Sequence, residues 1–274
     1  MTLDSWLNRS TKSLEQLEIP TARLDVLVLL EDMTCKDRAW LLAHPEFELD
    51  NKQLVLLNKQ VERRAKHEPL AYIRGKSEFY GREFFVTPAT LQPRAETETM
   101  VDLLKQIQGK DQTMKGKAIL DVGTGSGCLA ITAKLEWPEM EVYATEINED
   151  ALKVAKKNAK NLQAKIKFYQ GNLLEPVYDK CSEPYALLCN LPYVPDAHTI
   201  NKAAMQEPKV AIFGGSDGLD LYREMFAQIK SKIKPIHILT ESLPFQHKDL
   251  AAVAKKHGYR LVQTEDFIQV FEQA

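Results

Sequence analysis

The chain has 274 residues, of which 44% are hydrophobic and 27% are charged, and its net charge is −2. This composition is typical of a globular protein with room for one large and one small domain, and it excludes a globally basic nucleic-acid binder. No apolar run approaches the ~20 residues of a membrane span, the four cysteines form no Cys-x-x-Cys pair, and no signal peptide is evident, so we expect a cytoplasmic protein without a metal site.

Residues 1 to about 75 are predicted to be helical. Apolar residues recur at helical spacing near 5–14 and 21–30, a short helix is expected at 37–44, and Asp50 is positioned to cap a helix that runs to about Lys66. Between residues 51 and 82, eight Lys or Arg residues accompany three Glu residues. This excess indicates either a solvated helix face or a docking surface for an acidic or nucleic-acid-bound partner.

The segment 78–86 alternates in polarity around Gly81, which predicts a β-hairpin, and a helix through Leu104 should follow. Beyond it, strands near 118–122, 141–146, 166–170, 185–190 and 236–241 alternate with helices near 126–135, 149–161, 219–232 and 247–257. Such alternation implies a parallel sheet covered on both faces. Only three residues separate the last strand segments, 259–263 and 267–271, so they form a hairpin and one final strand should be antiparallel.

A glycine-rich turn, Gly-Thr-Gly-Ser-Gly at 123–127, joins the strand at 118–122 to a helix. Glycines at these positions permit the close backbone approach that a nucleotide-type cofactor requires. Glu146 ends the next strand, where a carboxylate usually accepts hydrogen bonds from ribose hydroxyls; the alternative is a surface glutamate that begins a helix. The Gly-x-Gly-x-Gly spacing and the order of these features favour S-adenosylmethionine over NAD.

The segment Asn-Leu-Pro-Tyr at 190–193 closes an apolar strand. The Asn190 side-chain oxygen and a nearby backbone carbonyl can accept the two N–H bonds of a planar –NH2 group, and the ring of Tyr193 can cover its flat face. The alternative is a strand that ends in a proline-containing turn. The cofactor loop about seventy residues earlier favours the binding interpretation.

Several further segments carry a family resemblance. They are Ala-Arg-Leu-Asp at 22–25, Pro-Leu-Ala-Tyr-Ile-Arg-Gly at 69–75, Phe-Tyr-Gly-Arg-Glu-Phe at 79–84, Gln-Pro-Arg-Ala-Glu-Thr-Glu at 92–98, Glu-Pro at 207–208 and Gly-Gly-Ser-Asp-Gly-Leu at 214–219. Together with the glycine-rich turn and the Asn190 segment, they make the chain resemble the HemK/PrmC family of glutamine-N5 methyltransferases, which modify peptide chain release factors.

The resemblance implies an α/β fold: a class I (Rossmann-like) S-adenosylmethionine-dependent methyltransferase sheet with a small N-terminal helical domain and a linking β-hairpin. The implied domains are 1–76 for substrate recognition, 77–93 for the hairpin linker and 94–274 for the methyltransferase. The helical domain should contact a class I release factor, whose Gly-Gly-Gln glutamine would be methylated on its side-chain nitrogen. Stable nucleic-acid binding and membrane association are not expected.

The resemblance also assigns site residues. The cofactor-binding set is Asp121, Gly123, Thr124, Gly125, Ser126, Gly127, Glu146, Ile147, Asn172, Leu173 and Asn190, with Asn172 near the adenine. The substrate-binding set is Arg94, Glu96, Asn190, Leu191, Pro192 and Tyr193, of which the last four form the catalytic group. Three departures stand out: the family usually has proline where this chain has Leu191 and aspartate where it has Tyr185, and aspartate is the commoner residue where it has Asn172 and Glu146. Leucine keeps the backbone carbonyl but loses the fixed φ of proline.

Two other functions fit parts of the pattern. Adenine-N6 methyltransferases of DNA or RNA present an aromatic amine to a similar Asn-x-Pro-Tyr segment, although about 115 residues precede the cofactor loop here and the catalytic part has no basic stripe. A cofactor-binding adaptor without activity is the second alternative, suggested by Leu191 and Tyr185.

Overall fold

A computed structural model describes residues 1–110, 117–181, 183–229 and 233–274. The chain forms two compact units, one comprising Met1–Gly75 with Ile200–Gln206 and the other comprising Lys76–Thr199 with Glu207–Ala274. No helix among the described residues is long and apolar enough to cross a membrane. The domain boundaries at residues 76 and 93 stay predictions.

The first unit is helical. Its helices are α1 (Leu3–Glu15), α2 (Ala22–Thr34), α3 (Arg38–Ala43), α4 (Asn51–Ala65) and α5 (Leu70–Arg74). The four predicted helices are confirmed, and α5 was not predicted. Asp50 caps α4 in a capping box with Gln53, which satisfies amide groups that the first turn leaves without helical partners. The buried core of this unit includes Trp6, Leu30 and Leu57.

Carboxylates neutralise much of the positive charge between residues 51 and 82. Five of the eight basic residues form salt bridges, namely Arg63–Glu68, Arg64–Asp25, Arg74–Asp32, Lys76–Glu83 and Arg82–Glu136. The Arg64–Asp25 pair is buried, with 2.6 Å between Nε and Oδ2, and it joins α4 to α2. Carboxylates of the same unit therefore neutralise most of the positive charge counted along this stretch of the sequence.

The second unit contains the β-hairpin and a seven-stranded sheet. The hairpin strands are β1 (Lys76–Phe79) and β2 (Arg82–Phe85), and the sheet strands are β3 (Ala118–Val122), β4 (Glu141–Glu146), β5 (Lys167–Gln170), β6 (Ala186–Cys189), β7 (His237–Glu241), β8 (Tyr259–Glu265) and β9 (Ile268–Gln273). The sheet order is β5-β4-β3-β6-β7-β9-β8, and β9 runs antiparallel to both of its neighbours. The predicted parallel sheet with one antiparallel strand is confirmed.

Helices cover both faces of this sheet. They are α6 (Glu98–Lys110), α7 (Cys128–Glu136), α8 (Glu149–Asn161), α9 (Asp220–Gln228) and α10 (His247–Lys256). The predicted end of α6 at Leu104 is wrong, because Ile107 continues the apolar spacing and packs against the core. The helix predicted at 219–232 is confirmed as far as Gln228, whereas residues 230–232 lie outside the described residues.

Two cores form because successive residues of a strand point to opposite faces. Ile119 of β3 packs in one core with residues of α6, α7 and α8, and Leu120 packs in the other with residues of α9 and α10. Tyr185, immediately before β6, is fully buried in the first core. The change from the usual aspartate to Tyr185 therefore affects the packing of the core against the sheet.

The strand register brings three predicted site segments to one edge of the sheet. Val122 of β3 pairs with Thr145 of β4 and with Cys189 of β6. The residues that follow these three paired positions are Gly123, Glu146 and Asn190, and they consequently lie side by side at the carboxyl ends of parallel strands. Ligands of open α/β sheets bind at such edges.

Candidate active site

A cavity opens at the carboxyl ends of the central strands, within the second unit. Most predicted site residues line it: Arg94, Asp121, Gly123, Thr124, Gly125, Ser126, Glu146, Ile147, Asn172, Leu173, Asn190, Leu191 and Pro192. Three predicted residues do not line it, namely Glu96, Gly127 and Tyr193. Thr97, which was not predicted, does line it. The cofactor loop and the Asn190 segment therefore share one cavity.

The glycine-rich turn is shaped by backbone conformation and by packing. Gly123 has φ +72°, and a Cβ there would lie 3.0 Å from Cδ2 of Leu191. Gly127 has φ +83°, and a Cβ there would meet Ile131 at 2.9 Å and Ala155 at 3.2 Å. Gly127 thus permits the close packing of α7 and α8 against the turn, which explains why it does not line the cavity.

Glu146 is buried beside this turn and is held at both carboxylate oxygens. Oε2 accepts a hydrogen bond from the Gly125 amide at 2.8 Å, and Oε1 accepts one from the Asn148 amide at 2.9 Å. Each oxygen keeps a lone pair for a further donor. The alternative of a surface glutamate is wrong, because only 8% of Glu146 is exposed.

Asp121 lies beneath the turn and is almost completely buried. Its Oδ2 accepts hydrogen bonds from the Thr124 hydroxyl at 2.5 Å and from the Ala130 amide at 3.1 Å. Burial raises the pKa of Asp121 to about 7, and the nearby charge of Glu146 acts in the same direction. The carboxyl joins the turn to the first turn of α7.

The other side of the cavity combines an amide with apolar side chains. Nδ2 of Asn172 donates to Oε1 of Glu224 at 2.6 Å, so Oδ1 is the end of this amide that remains for a ligand donor. Ile147, which is 65% exposed, and Leu173 also line the cavity. A flat aromatic base fits such surroundings, because it offers apolar faces and a donor at its edge.

A hydrogen-bond chain anchors the Asn190 segment. Nδ2 of Asn190 donates to Oγ1 of Thr97 at 3.0 Å, and the Thr97 hydroxyl donates to Oε2 of Glu241 at 2.6 Å. The Tyr193 hydroxyl donates to Oε1 of Glu241 at 2.9 Å. Burial raises the pKa of Glu241, and burial together with Glu241 raises the pKa of Tyr193. We call Thr97, Asn190, Tyr193 and Glu241 the amide network.

Sequence reasoning missed two members of the amide network. Thr97 lies in the segment 92–98 that carries the family resemblance, and its place in that segment was the sequence feature that could have identified it. Glu241 is an acid at the end of the apolar strand β7, which is the same kind of position that led to Glu146. Their proximity to Asn190 depends on the sheet order, which places β7 next to β6.

Two buried side chains support the backbone of the Asn190 segment. The Tyr222 hydroxyl accepts a hydrogen bond from the Leu191 amide at 3.3 Å and lies 2.5 Å from the Glu241 carbonyl oxygen. Nε2 of Gln246 donates to the carbonyl oxygen of Tyr193 at 2.7 Å. A Cβ at Gly218 would lie 2.0 Å from that same oxygen, so the segment 214–219 must approach closely.

Arg94 lines the cavity and is paired. Its guanidinium forms a salt bridge with Oε1 of the buried Glu207, and Oε2 of Glu207 accepts a hydrogen bond from the Gln92 amide at 3.0 Å. The pair joins two segments that the resemblance singled out, 92–98 and 207–208.

Burial raises the pKa of Cys128, which lines the cavity, to about 12, so this residue is a neutral thiol near pH 7. Among the residues with described placement, no group of three His, Cys, Asp or Glu side chains could hold a metal ion.

Family models and curated relatives match this chain over most of its length. A family model described as the PrmC N-terminal domain matches residues 5–75, and the methyltransferase small domain matches residues 97–211. Release factor glutamine methyltransferase of Koribacter versatilis is 36% identical over 86% of this chain and 84% of its own length. The protein of the same description from Coxiella burnetii is 36% identical over 88% of this chain and 86% of its own length.

Among solved structures, the T. Thermophilus 16S rRNA N2 G1207 methyltransferase in complex with AdoMet and guanosine has a TM-score of 0.53 and 14% identity, over 72% of this chain and 49% of that chain. The sheet order and this likeness define a class I S-adenosylmethionine-dependent methyltransferase fold. The identity to the curated relatives over most of both chains is more specific. The chain belongs to the release factor glutamine methyltransferase family.

Proposed function

We propose that this protein transfers a methyl group from S-adenosylmethionine to the side-chain nitrogen of the glutamine in the Gly-Gly-Gln motif of peptide chain release factors. The observation that carries the proposal is the anchored Asn190, which lines the same cavity as the glycine-rich turn and Glu146. Membership of the family supports the substrate class, since the two curated relatives are described as release factor glutamine methyltransferases.

The cavity residues fit the cofactor. The Glu146 carboxylate keeps lone pairs for the ribose hydroxyls, and Oδ1 of Asn172 is available to the adenine amino group. Ile147 and Leu173 supply apolar surface for the base. When bound, S-adenosylmethionine supplies an electrophilic methyl group on a sulfonium centre. Gly123 and Gly125, with Thr124 and Ser126, would hold its methionine portion, as the family resemblance implies.

The Asn190 segment would activate the acceptor by position. A glutamine nitrogen is a weak nucleophile because its lone pair is delocalised into the carbonyl group. Oδ1 of Asn190 and the carbonyl oxygen of Leu191 would accept its two N–H bonds and favour lone-pair character on the nitrogen. These dipoles also stabilise the positive charge that develops there as the N–C bond forms. Correct alignment of the reacting atoms contributes on the order of 7–11 kcal/mol in favourable cases.

Tyr193 and Pro192 would complete the acceptor site. Pro192 lines the cavity, and Tyr193 follows it without lining the cavity itself. Glu241 holds the Tyr193 hydroxyl and Gln246 holds its carbonyl oxygen, so the ring would border the acceptor amide in a fixed orientation. No strong base is needed before transfer, because the amide proton becomes acidic only once the nitrogen is methylated. Arg94 and Glu96 would border the bound peptide. The proposed compartment is the cytoplasm, because release factors act there in translation termination.

The decisive experiment compares native protein with Asn190→Ala. A release factor is incubated with each enzyme and labelled cofactor, and its digest is analysed by mass spectrometry. We expect methyl on the Gly-Gly-Gln glutamine with native protein and a loss of turnover on the order of 10²–10³-fold with the variant, because one preorganised polar contact to the transition state is removed. Cofactor affinity, measured by calorimetry, should stay within a few-fold.

The matched control is Asn161→Ala, at an exposed position at the end of α8, which should retain full turnover. Retained glutamine methylation by the Asn190 variant would refute the assignment. So would a native protein that methylates adenine in DNA or RNA but leaves the release factor unmodified, and a native protein that binds the cofactor without turnover would support the adaptor alternative.

A further inference from the structure

We propose that Thr97 and Glu241 are positioning residues that fix which end of the Asn190 amide faces the acceptor. The inference rests on the proposed function and concerns the same cavity. It adds two residues, one immediately before α6 and one at the end of β7, to the requirements for turnover. Neither belongs to the cofactor loop or to the Asn190 segment.

The direction of the amide follows from counting donors along the chain of hydrogen bonds. The Thr97 hydroxyl has one proton, and an ionised Glu241 can only accept, so this proton lies on the 2.6 Å contact to Oε2. The Thr97 oxygen is then limited to accepting. The Asn190 atom 3.0 Å away must therefore be the amide nitrogen, and Oδ1 is directed away from Thr97. That oxygen is the acceptor that the proposed chemistry requires.

Glu241 sets this direction for two side chains at once. Its second oxygen accepts the Tyr193 hydroxyl at 2.9 Å, so both oxygens face donors. Arg94 and Glu96 are the charged groups that act on it, and burial of the carboxyl raises its pKa. A protonated Glu241 would carry a donor of its own and could reverse the Thr97 hydroxyl, which would turn the nitrogen of Asn190 toward the acceptor. Ionised Glu241 is therefore the form that supports turnover.

Because the amide network is buried, water cannot readily substitute for its hydrogen-bonding groups. Thr97 is 2% exposed and Glu241 is 1% exposed. A free Asn amide can rotate by 180° at little cost, because its two ends differ only in hydrogen bonding. The Thr97 contact makes the two orientations unequal, since reversal would bring Oδ1 against the lone pairs of the Thr97 oxygen. The network thus supplies a preference that Asn190 alone lacks.

The test uses the full-length protein, a release factor and labelled cofactor. Thr97→Val keeps the shape of the side chain and removes the hydroxyl, so we expect kcat to fall by about 10²-fold. Thr97→Ser restores the hydroxyl and should recover most of that loss. Cofactor affinity should be the same in all variants. Thr132→Val is the matched control, because it removes another fully buried hydroxyl, on α7, that does not line the cavity.

A double-mutant cycle distinguishes positioning from general support of the fold. If Thr97 acts through Asn190, Thr97→Val should cost nothing further in an Asn190→Ala background, whereas independent effects would multiply. Glu241→Gln provides a second route, since one carbonyl oxygen must then serve two hydroxyl donors. This variant should also lose turnover, and because Glu241 also holds the Tyr193 hydroxyl, part of that loss should persist beside Asn190→Ala, so only the Thr97–Asn190 pair is used for the cycle.

Thr97→Val and Glu241→Gln proteins that turn over like the native enzyme would overturn this inference, and so would multiplicative losses in the cycle. Glutamine methylation by the native protein, measured in the same assay, keeps that result separate from the proposed function. A native protein without such methylation would overturn the proposed function and this inference with it.

Discussion

Leu191 stands where the family usually has proline, and a hydrogen bond of its backbone amide takes over the positioning role of the proline ring. Proline at this position would fix φ but would have no amide proton. Leucine has that proton and donates it to the Tyr222 hydroxyl, while its buried side chain packs beside Gly123. The carbonyl oxygen needed for the acceptor is present with either residue. The segment therefore keeps its position through a hydrogen bond to the core.

Asp121 should make stability depend on pH. Its pKa is about 7 in the folded protein, raised from 3.8. The folded protein consequently holds a proton that the unfolded chain releases between about pH 4 and pH 7, and folding stability falls as pH rises through this range. Asp121→Asn removes this dependence. The free energy of unfolding of the variant minus that of the native protein should therefore rise by up to about 4 kcal/mol as the pH increases across that range.

Urea unfolding at several pH values without cofactor measures this difference. Asp249→Asn, at an exposed position on α10, is the control for a simple loss of charge. A constant difference between native protein and the Asp121 variant from pH 4 to pH 7 would contradict the prediction.

The site could be predicted where residues that act together are close in sequence or mark the end of a strand. Gly123, Glu146 and Asn190 met these conditions, and all three line the cavity. Thr97 and Glu241 were missed, although Glu241 also ends a strand, because their proximity to each other arises from tertiary packing between segments 144 residues apart. The fold could be predicted for a similar reason, because the alternation of strands and helices is a pattern that can be recognised locally along the sequence. The roles of Arg94 and Glu96 were available only through resemblance.

At the scale of elements, the buried contact between α2 and α4 explains one of the sequence segments that carry the resemblance. Asp25, the last residue of the segment 22–25, accepts from Nε of Arg64 at 2.6 Å and from the Thr21 hydroxyl at 3.0 Å. The helices are otherwise joined by apolar packing, which is less selective for register. The ion pair thus specifies how α4 lies against α2.

Asp25→Ala should destabilise the helical unit strongly. The change leaves the Arg64 guanidinium buried without its carboxylate partner, which typically costs about 3–5 kcal/mol. Hydrogen exchange of the α1–α4 amides is the suitable measurement, because it reports on this unit separately from the sheet.

Glu31→Ala is the matched control, since it breaks the more exposed salt bridge to Arg38 and should cost less than about 1 kcal/mol. Equal protection in the two variants would show that the buried pair contributes no more than the exposed one.

At the scale of the whole molecule, the helical unit has an exposed apolar surface on α4. Val55 is 68% exposed and Leu56 is 52% exposed, and the exposed Lys52 and Lys59 lie on the same face. Apolar side chains flanked by basic ones suit a protein partner with both apolar and acidic groups. We expect this face to contact the release factor.

Replacing Val55 and Leu56 together by serine should raise KM for the release factor by about tenfold and leave kcat unchanged, because contacts remote from the reacting atoms bind ground state and transition state equally. A short Gly-Gly-Gln peptide should react equally well with native and variant enzymes. Leu24→Ser, at a comparably exposed position on α2, is the control. An unchanged KM for the release factor would place docking elsewhere.

The pairing of Val122 with Cys189 has a consequence for how this enzyme can diversify. Gly123 and Asn190, which follow these residues, belong to neighbouring strands, and such strands lie about 4.8 Å apart. The separation between the start of the glycine-rich turn and the start of the Asn190 segment is thus set by main-chain hydrogen bonds inside the sheet. Surface loops can change in length and composition without altering that separation. Redesign toward other amide-bearing peptides should therefore begin in the loops and leave the two strands untouched.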